Sequence, residues 1–351
     1  MCGASELDQN PYATLLCEHL RQRGVRVDHA LRLGPVQALA ALRRVDAVHI
    51  HWLEPLTRQS LGRLRVLRTL MHVVKFPLGL AVLRCGRVTL VWTVHNLRPH
   101  ESWNPRIEKL LSVATLRLAD RVCAHSHYAA ERIRAELGSP RAISVIPHPS
   151  YLGVYAPDPR PRGEIRQSLG LEVDGFVYLL FGTVRRYKCI LEAIEAFKGL
   201  EDERARLAIV GRPMESALVR EVERASATDP RILVHMEFVE PDAVAAWHHA
   251  SDALILNYKE VFSSGVLLLA LSHGLPVIAP VPSAASELVD DPALVPIVDG
   301  RLREALEAAA RRDAEASRAA ALAAAHGLTW DDMAATLMDI YKNGHRPGTL
   351  A

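Results

Sequence analysis

Two loops in the second half of the sequence carry residue types that bind diphosphates. In the first, Gly182 ends an apolar run, and Arg185 and Lys188 follow it one helical turn apart. Glycine lets a ligand approach the backbone, a guanidinium makes paired hydrogen bonds to phosphate, and an ammonium supplies a point charge. We expect Arg185 and Lys188 to open a helix and converge on the phosphates, with Arg186 directed elsewhere. The alternative, a pair of surface cations, would oppose the helix dipole and gain nothing unless an anion binds there.

The second loop leads from a predicted strand into a predicted helix. It contains Asn257 and Tyr258, then Ser263, Ser264 and Gly265 before an apolar run. Hydroxyls and unpaired N–H groups at a helix N-terminus form an anion site. A serine that only caps the helix is the alternative. Together with the two cations of the first loop, this pattern favours a phosphate site.

A polar segment in the first half could act as a general base. His95, Asn96, His100 and Glu101 lie within seven residues and follow a predicted strand, where open α/β sheets bind ligands. We predict that Glu101 takes the proton from an acceptor hydroxyl, with His100 in reserve. The alternative for Glu101 is a local cap or ion pair.

Four further polar or aromatic residues lie in an earlier segment of the first half. Because His49 and His51 alternate along a strand, we expect only one of them to face the site. Trp52 and Glu54 are candidates for an acceptor platform, although a tryptophan in the core is an equal alternative for Trp52.

Apolar runs alternate with amphipathic helical stretches, which is typical of parallel α/β sheets. Strands are predicted at residues 45–50, 88–94, 121–124, 143–146, 176–181, 206–210, 232–234, 253–256 and 276–279. Helices are predicted at residues 12–23, 106–117, 129–137, 188–197, 242–250, 265–271, 302–326 and 330–341. A proline-rich passage marks a domain boundary. We therefore predict two facing Rossmann-like domains, at residues 1–155 and 156–328, each with a mostly parallel sheet flanked by helices.

Composition narrows the function classes. The 351 residues suffice for two domains, and a net charge of +2 gives no argument for nucleic-acid binding. No stretch of about 20 residues is free of charge, and the start lacks a secretory signal pattern. The five scattered cysteines predict reduced thiols and a cytoplasmic protein. Dinucleotide, P-loop, Asp-x-Asp and metal-ligand patterns are missing from the sequence, so we expect no cofactor and no metal.

One segment is strongly basic. Residues 55–100 contain eight Arg or Lys and no Asp or Glu, and Arg58, Arg63, Arg65, Arg68 and Lys75 sit among apolar residues. Such a stretch suits anionic lipid headgroups, so residues 55–87 predict a peripheral contact with the inner face of the membrane. A solvated arginine-rich helix is the alternative.

The chain resembles GT-B glycosyltransferases, in particular bacterial exopolysaccharide and glycolipid enzymes of the xanthan-assembly β-mannosyltransferase type. The resemblance rests on residues 10–12, 49–54, 93–101, 146–148, 181–188 and 263–280. It implies an acceptor-binding N-terminal domain, a C-terminal domain that binds a nucleotide sugar such as GDP-mannose or a UDP-sugar, and a last helix at residues 329–345 that crosses back. It also implies that His95 contacts the donor sugar.

The sequence departs from this family at three places. Retaining relatives carry two glutamates eight positions apart where this chain has Val261 and Leu269, and Glu260 is one residue off. Cys189 replaces a glycine common after Lys188, and nine mostly polar residues stand where an apolar first strand is usual.

The departures leave three hypotheses. The first is a glycosyltransferase, inverting and metal-independent, that acts on a glycan or lipid-linked acceptor. The second is a nucleotide-sugar 2-epimerase or a phosphorolytic enzyme on the same fold. The third is a non-catalytic subunit that binds sugar nucleotides.

Overall fold

The chain divides into two compact units. The computed structural model describes residues 11–29, 33–53, 56, 65–97, 104–139 and 142–344, without the side chains of residues 65–70. One unit comprises Met1–His148 with Thr329–Ala351, and the other comprises Pro149–Leu328. The boundary precedes the predicted residue 155 because Ser150 N donates to Leu328 O and Tyr151 N donates to Ser272 Oγ, which ties this segment to the second unit.

The first unit is built on a four-stranded parallel sheet. Its strands are β1 (Ala47–Ile50), β2 (Thr89–Thr93), β3 (Arg121–Ala124) and β4 (Ile143–Val145), in the spatial order β1-β2-β3-β4. Its helices are α1 (Pro11–Gln22), α2 (Pro35–Ala41), α3 (Arg65–Cys85), α4 (Pro105–Leu118), α5 (His127–Leu137) and, at the end of the chain, α14 (Trp330–Asn343). All five residues of β2 are buried, as expected for an inner parallel strand. The mostly polar segment that stands where relatives have an apolar first strand falls within residues 1–10, outside the described residues.

The last helix belongs to the first unit. In α14, Tyr341 O accepts a hydrogen bond from Thr89 Oγ1 at 3.3 Å, and Met333 Sδ lies 3.7 Å from the hydroxyl of Tyr12 in α1. Buried residues of α14 therefore complete the core around α1 and β2.

The second unit is built on a six-stranded parallel sheet. Its strands are β5 (Val177–Phe181), β6 (Arg206–Val210), β7 (Ile232–His235), β8 (Ala253–Ile255), β9 (Val277–Pro280) and β10 (Leu294–Ile297), in the order β10-β9-β8-β5-β6-β7. Its helices are α6 (Arg162–Ser168), α7 (Ile190–Lys198), α8 (Ser216–Ser226), α9 (Pro241–Ala250), α10 (Gly265–Ser272), α11 (Ala285–Leu288), α12 (Leu302–Ala310) and α13 (Ala314–His326). The predicted α/β class with two helix-flanked parallel sheets is confirmed.

Some elements differ from the prediction. The helix expected over residues 302–326 is two helices, because the chain turns after Ala310 and Asp313 caps α13 by accepting from Ala316 N at 2.8 Å. Strand β10 and helix α8 were not predicted. Among the described helices, none is long and apolar enough to cross a membrane.

Two glycines allow β5 and β6 to end in close contact. Gly211 has φ +141°, and a Cβ there would lie 2.1 Å from the carbonyl oxygen of Gly182. Gly182 N donates to Val210 O, and Gly211 N donates to His235 O, both at 2.9 Å. The loops that leave these two strands are thus held together by backbone contacts that a side chain would break.

Gly211→Ala should therefore destabilise the second unit by about 3 kcal/mol or more, since both the backbone conformation and the contact with Gly182 are lost. The matched control is Gly153→Ala, where φ is +75° and nothing lies within 4 Å of the added Cβ. That control should cost only about 1 kcal/mol. Urea unfolding of both variants measures the difference, and equal losses would contradict the proposed contact.

Candidate functional site

The first candidate site lies where β5 ends in the second unit. After Phe181 the chain makes a short 3₁₀ turn, Arg186–Lys188, before α7. The Lys188 side chain turns back into the protein, is only 5% exposed, and donates through Nζ to Phe181 O at 3.0 Å. Burial, and next the charge of Arg185, lower the pKa of Lys188 to about 7. An anion bound near this amine would therefore stabilise its charged form.

Gly182 brings this lysine next to the start of α10. Its φ is +87°, a conformation that favours glycine. A Cβ at Gly182 would lie 3.2 Å from Lys188 Nζ and 3.3 Å from Val266 Cγ2. The two loops that were predicted to bind a diphosphate therefore meet. Lys188, Gly182 and Tyr258 line one narrow pocket.

Tyr258 and the serine loop close the other side of this pocket. Lys188 Nζ lies 5.4 Å from the centroid of the Tyr258 ring. The Tyr258 hydroxyl is hydrogen-bonded to Ser264, and burial raises the pKa of this phenol. Ser264 Oγ also accepts from Leu267 N at 3.2 Å, so this serine is the N-cap of α10. Ser263 is more exposed than Ser264 at the same helix end.

Two further predicted residues, Asn257 and Gly265, make contacts outside the lining of this pocket. Asn257 Nδ2 donates to Cys189 O at 3.4 Å. A Cβ at Gly265 would lie 3.2 Å from the Tyr151 hydroxyl, so that hydroxyl approaches the start of α10 closely.

The prediction that Lys188 opens a helix is wrong. Helix α7 begins at Ile190, because Cys189 adopts a left-handed conformation, φ +51° and ψ +45°, which separates the 3₁₀ turn from the helix. Cys189 thus occupies a conformation that glycine takes without strain. Arg186 is directed to the surface, where its guanidinium pairs with Glu221 at 2.5 Å.

The second candidate site lies in the first unit. A histidine follows the end of each of the four strands: His51 after β1, His95 after β2, His125 after β3 and His148 after β4. Because the strands are parallel neighbours, their carboxyl ends meet at one edge of the sheet. The sequence analysis used three of these histidines and missed His125, although its position after a strand was the available signal.

These rings form one cluster around Tyr12. Its ring centroid lies 4.9 Å from those of His95 and His148, and 5.7 Å from that of His125. Trp52 stacks on His95, with ring centroids 4.4 Å apart and an interplanar angle of 17°. The tryptophan proposed as an acceptor platform is therefore part of this cluster.

Hydrogen bonds fix the histidines in place. His51 Nδ1 and His95 Nε2 are 3.0 Å apart, and His125 Nδ1 donates to Ile146 O at 2.9 Å. His49 bridges the Tyr341 hydroxyl at 2.7 Å and Thr93 Oγ1 at 2.8 Å. The expected alternation of His49 and His51 is wrong, because residues two apart share a face of a strand, and the two rings are 4.1 Å apart. Of the two, His51 is among the residues that line the pocket beside the cluster, and His49 is not.

Burial keeps these histidines neutral. It lowers the pKa of His49 to about 3 and that of His125 to about 4, and it lowers the pKa of His51 and His95 well below 6.5. Neutral imidazoles offer one donor and one acceptor each. The cluster can therefore bind hydroxyl groups without presenting charge.

A narrow pocket opens beside the cluster. His51, Trp52, His95, Asn96 and Glu108 are among its lining residues. Glu108, in the first turn of α4, is 7% exposed and was not predicted. The predicted base Glu101 and its reserve His100 lie outside the described residues, as does Glu54.

Comparison with known proteins identifies the family of the chain. Residues 9–149 match the model of Glycosyltransferase Family 4, and residues 175–316 match that of Glycosyl transferases group 1. A GDP-mannose:glycolipid 4-beta-D-mannosyltransferase of Xanthomonas campestris pv. campestris is 31% identical over 272 residues, which cover 76% of this chain and 71% of the relative. This chain belongs to the GT-B glycosyltransferases.

Solved structures show the same fold. Sucrose-phosphate synthase from Thermosynechococcus elongatus superposes with a TM-score of 0.63 at 19% identity, covering 81% of this chain and 80% of that one. A glycosyltransferase from Rickettsia africae superposes with a TM-score of 0.64 at 14% identity, covering 99% and 89%.

This glycosyltransferase has two buried apolar residues where, by the resemblance, retaining enzymes carry a pair of glutamates. Val261 and Leu269, at the positions aligned with their two glutamates, are 1% and 7% exposed and pack into the protein. A carboxylate at either buried position would need a compensating partner. The second unit therefore has the Lys188 amine at its pocket and apolar side chains at positions 261 and 269.

The buried histidines predict a marked sensitivity to acid. An unfolded histidine binds a proton near pH 6.5, whereas folded His125 does so only near pH 4. Between these values the unfolded state binds more protons, so stability falls as pH falls, by about 1.4 kcal/mol per pH unit for each such histidine.

His125→Asn should remove that contribution, because the amide keeps a donor for Ile146 O but does not titrate. Its unfolding free energy, measured by urea titration at pH 6 and pH 4.5, should fall less steeply than that of the wild type. The exposed His127→Asn is the control. An unchanged slope in His125→Asn would contradict the assignment of a neutral, buried imidazole.

Proposed function

We propose that this glycosyltransferase moves a hexosyl group from a nucleotide-diphosphate sugar to a glycan or lipid-linked acceptor, with inversion and without a metal. The observation that carries the proposal is the buried amine of Lys188, which sits against Gly182 and the start of α10. A buried cation beside a backbone that carries no side chain suits a diphosphate. The Xanthomonas relative is a GDP-mannose:glycolipid mannosyltransferase, which supports GDP-mannose as donor and a glycolipid as acceptor. UDP-sugars are the other donor class.

The second unit would stabilise the leaving nucleoside diphosphate. Arg185 and Lys188 supply positive charge, and the N-terminus of α10 at Ser263, Ser264 and Gly265 supplies N–H groups. Charge that develops on the leaving oxygens is neutralised best by groups that are already in position. With these cations in place, transfer needs no divalent ion. Asn257 and Tyr258 would hold the loop on which the donor lies.

The first unit would bind the sugars and activate the acceptor. His95 would contact the donor sugar, and His125 Nε2, which is buried and has no hydrogen-bond partner among the described residues, is an acceptor for a hydroxyl. Glu101 would take the proton of the acceptor hydroxyl, with His100 in reserve. A single base is what an inverting transfer requires, and the apolar Val261 and Leu269 support this outcome. A lipid-linked acceptor would place the enzyme in the cytoplasm, at the inner face of the membrane.

The decisive experiment is a panel of nucleotides. Thermal shift and calorimetry with GDP, UDP, ADP, GDP-mannose and UDP-glucose should show one nucleotide class that stabilises the protein, by about 2.7 kcal/mol at 100 times its Kd. Arg185→Ala and Lys188→Met should each weaken that binding about 10- to 100-fold, the worth of one charge-assisted hydrogen bond.

Arg186→Ala is the matched control, because its guanidinium pairs with Glu221 instead of facing the pocket. Its affinity should equal that of the wild type. If no nucleotide binds, the proposal fails. Binding without turnover would identify a non-catalytic subunit, and turnover of the donor sugar without an acceptor would identify an epimerase.

The low pKa of Lys188 makes a second prediction. With a pKa of about 7 in the free protein, most Lys188 amines are neutral at pH 8, and a bound diphosphate recharges them. Binding of GDP-mannose, or of the donor that the panel identifies, should take up about 0.9 proton at pH 8 and about 0.1 at pH 6. Calorimetry in buffers of different ionisation enthalpy measures this number.

Lys188→Arg is the control for this measurement. A guanidinium stays charged throughout this range, so the variant should bind without proton uptake. Equal uptake by the variant and the wild type would show that another group titrates.

A further inference from the structure

Helix α3 exposes a line of apolar side chains. Met71, Val74 and Leu78 are 40%, 58% and 51% exposed, and their spacing of three and four residues places them on one face of the helix. Phe76 and Leu80 are fully buried on the other side. A contiguous exposed apolar face on a folded protein marks a surface that contacts something else.

Helix α2 extends this face. Its Val36 and Leu39 are 74% and 61% exposed. The two helices are close neighbours, since a Cβ at Gly79 of α3 would lie 3.1 Å from the carbonyl carbon of Gly34, the N-cap of α2. We define the docking face as the five exposed apolar residues Val36, Leu39, Met71, Val74 and Leu78.

The charged residues in the two segments that carry the docking face are all basic. Lys75 is exposed between Val74 and Leu78, and Arg43 and Arg44 are exposed just beyond α2. Residues 33–45 and 65–97 contain no Asp or Glu. Apolar side chains interleaved with cations, without acidic residues, match a surface whose headgroups are anionic and whose interior is apolar.

We propose that the docking face seats this unit on an anionic lipid bilayer. Valine, leucine and methionine side chains enter the boundary between headgroups and acyl chains, while Lys75, Arg43 and Arg44 pair with lipid phosphates. Because α3 does not cross the bilayer, the contact is reversible and depends on salt. The proposal rests on the proposed function only in that a lipid-linked acceptor would lie in the same membrane.

Vesicle sedimentation tests the docking face without donor or acceptor. The full chain should bind equimolar phosphatidylglycerol–phosphatidylcholine vesicles, bind pure phosphatidylcholine at least about tenfold more weakly, and lose affinity as salt rises. Val74→Ser with Leu78→Ser should weaken binding about tenfold or more, as expected when two side chains lose their apolar contact. Lys75→Glu should weaken binding only to the anionic vesicles.

The control is Val173→Ser in the second unit, where the valine is 42% exposed outside the docking face. It should bind vesicles like the wild type. Nucleotide binding by the double variant reports its folding and should be unchanged. Absence of nucleotide binding by the wild type would count against the proposed function and not against the docking face. Equal vesicle binding by the double variant and wild type would overturn the proposal. So would a wild-type dimer in light scattering that the double variant dissociates, because a second copy would then cover the face.

Discussion

All ten described strands run parallel to their neighbours, and this common direction decides where each unit collects its chemistry. In a parallel sheet the carboxyl ends of adjacent strands lie at one edge, so residues far apart in sequence become neighbours there. In the first unit this edge gathers four histidines from four strand ends. In the second it brings the loop after β5 against the start of α10. Neither cluster requires its residues to be close in the sequence, because the parallel sheet brings the strand ends together.

Loss of solvent then determines the protonation states of the side chains at these sheet edges. Lys188 and the histidines are buried, and burial disfavours the charged form of both kinds of group. For the histidines the result is a neutral cluster tied together by hydrogen bonds such as His51 to His95. For Lys188 the result is an amine that is charged about half of the time near neutral pH. Its charge is most stable when an anion is present, so ligand binding and protonation of this lysine are linked.

Much of this arrangement can be predicted from the sequence. What could not be predicted depends on backbone conformation and on contacts between distant segments. Apolar runs predicted the strands, and glycine, cations and serines at strand ends predicted the loops that meet at Gly182. The sequence analysis placed Lys188 at a helix start, because nothing local reveals that Cys189 adopts a left-handed conformation. His125 was not predicted, and the geometry expected for His49 and His51 was wrong, because residues two apart on a strand face the same side. Lys188 also lies 5.4 Å from the ring centroid of Tyr258, which belongs to another loop, and spacing within one loop does not encode such a contact.

The charges at each of the two sites fit the nucleotide-sugar donor that we propose. A nucleotide sugar has an anionic diphosphate and neutral sugar hydroxyls, and these need different surroundings. One cation, Lys188, lines the pocket beside Gly182, and the apolar Val261 and Leu269 are buried in the same unit. Neutral imidazoles are present at the edge of the other sheet, where burial would destabilise a charged group that has no partner. The pocket beside Gly182 therefore suits the diphosphate of the proposed donor, and the histidine cluster suits its sugar hydroxyls. Neither site suits the other part of the donor.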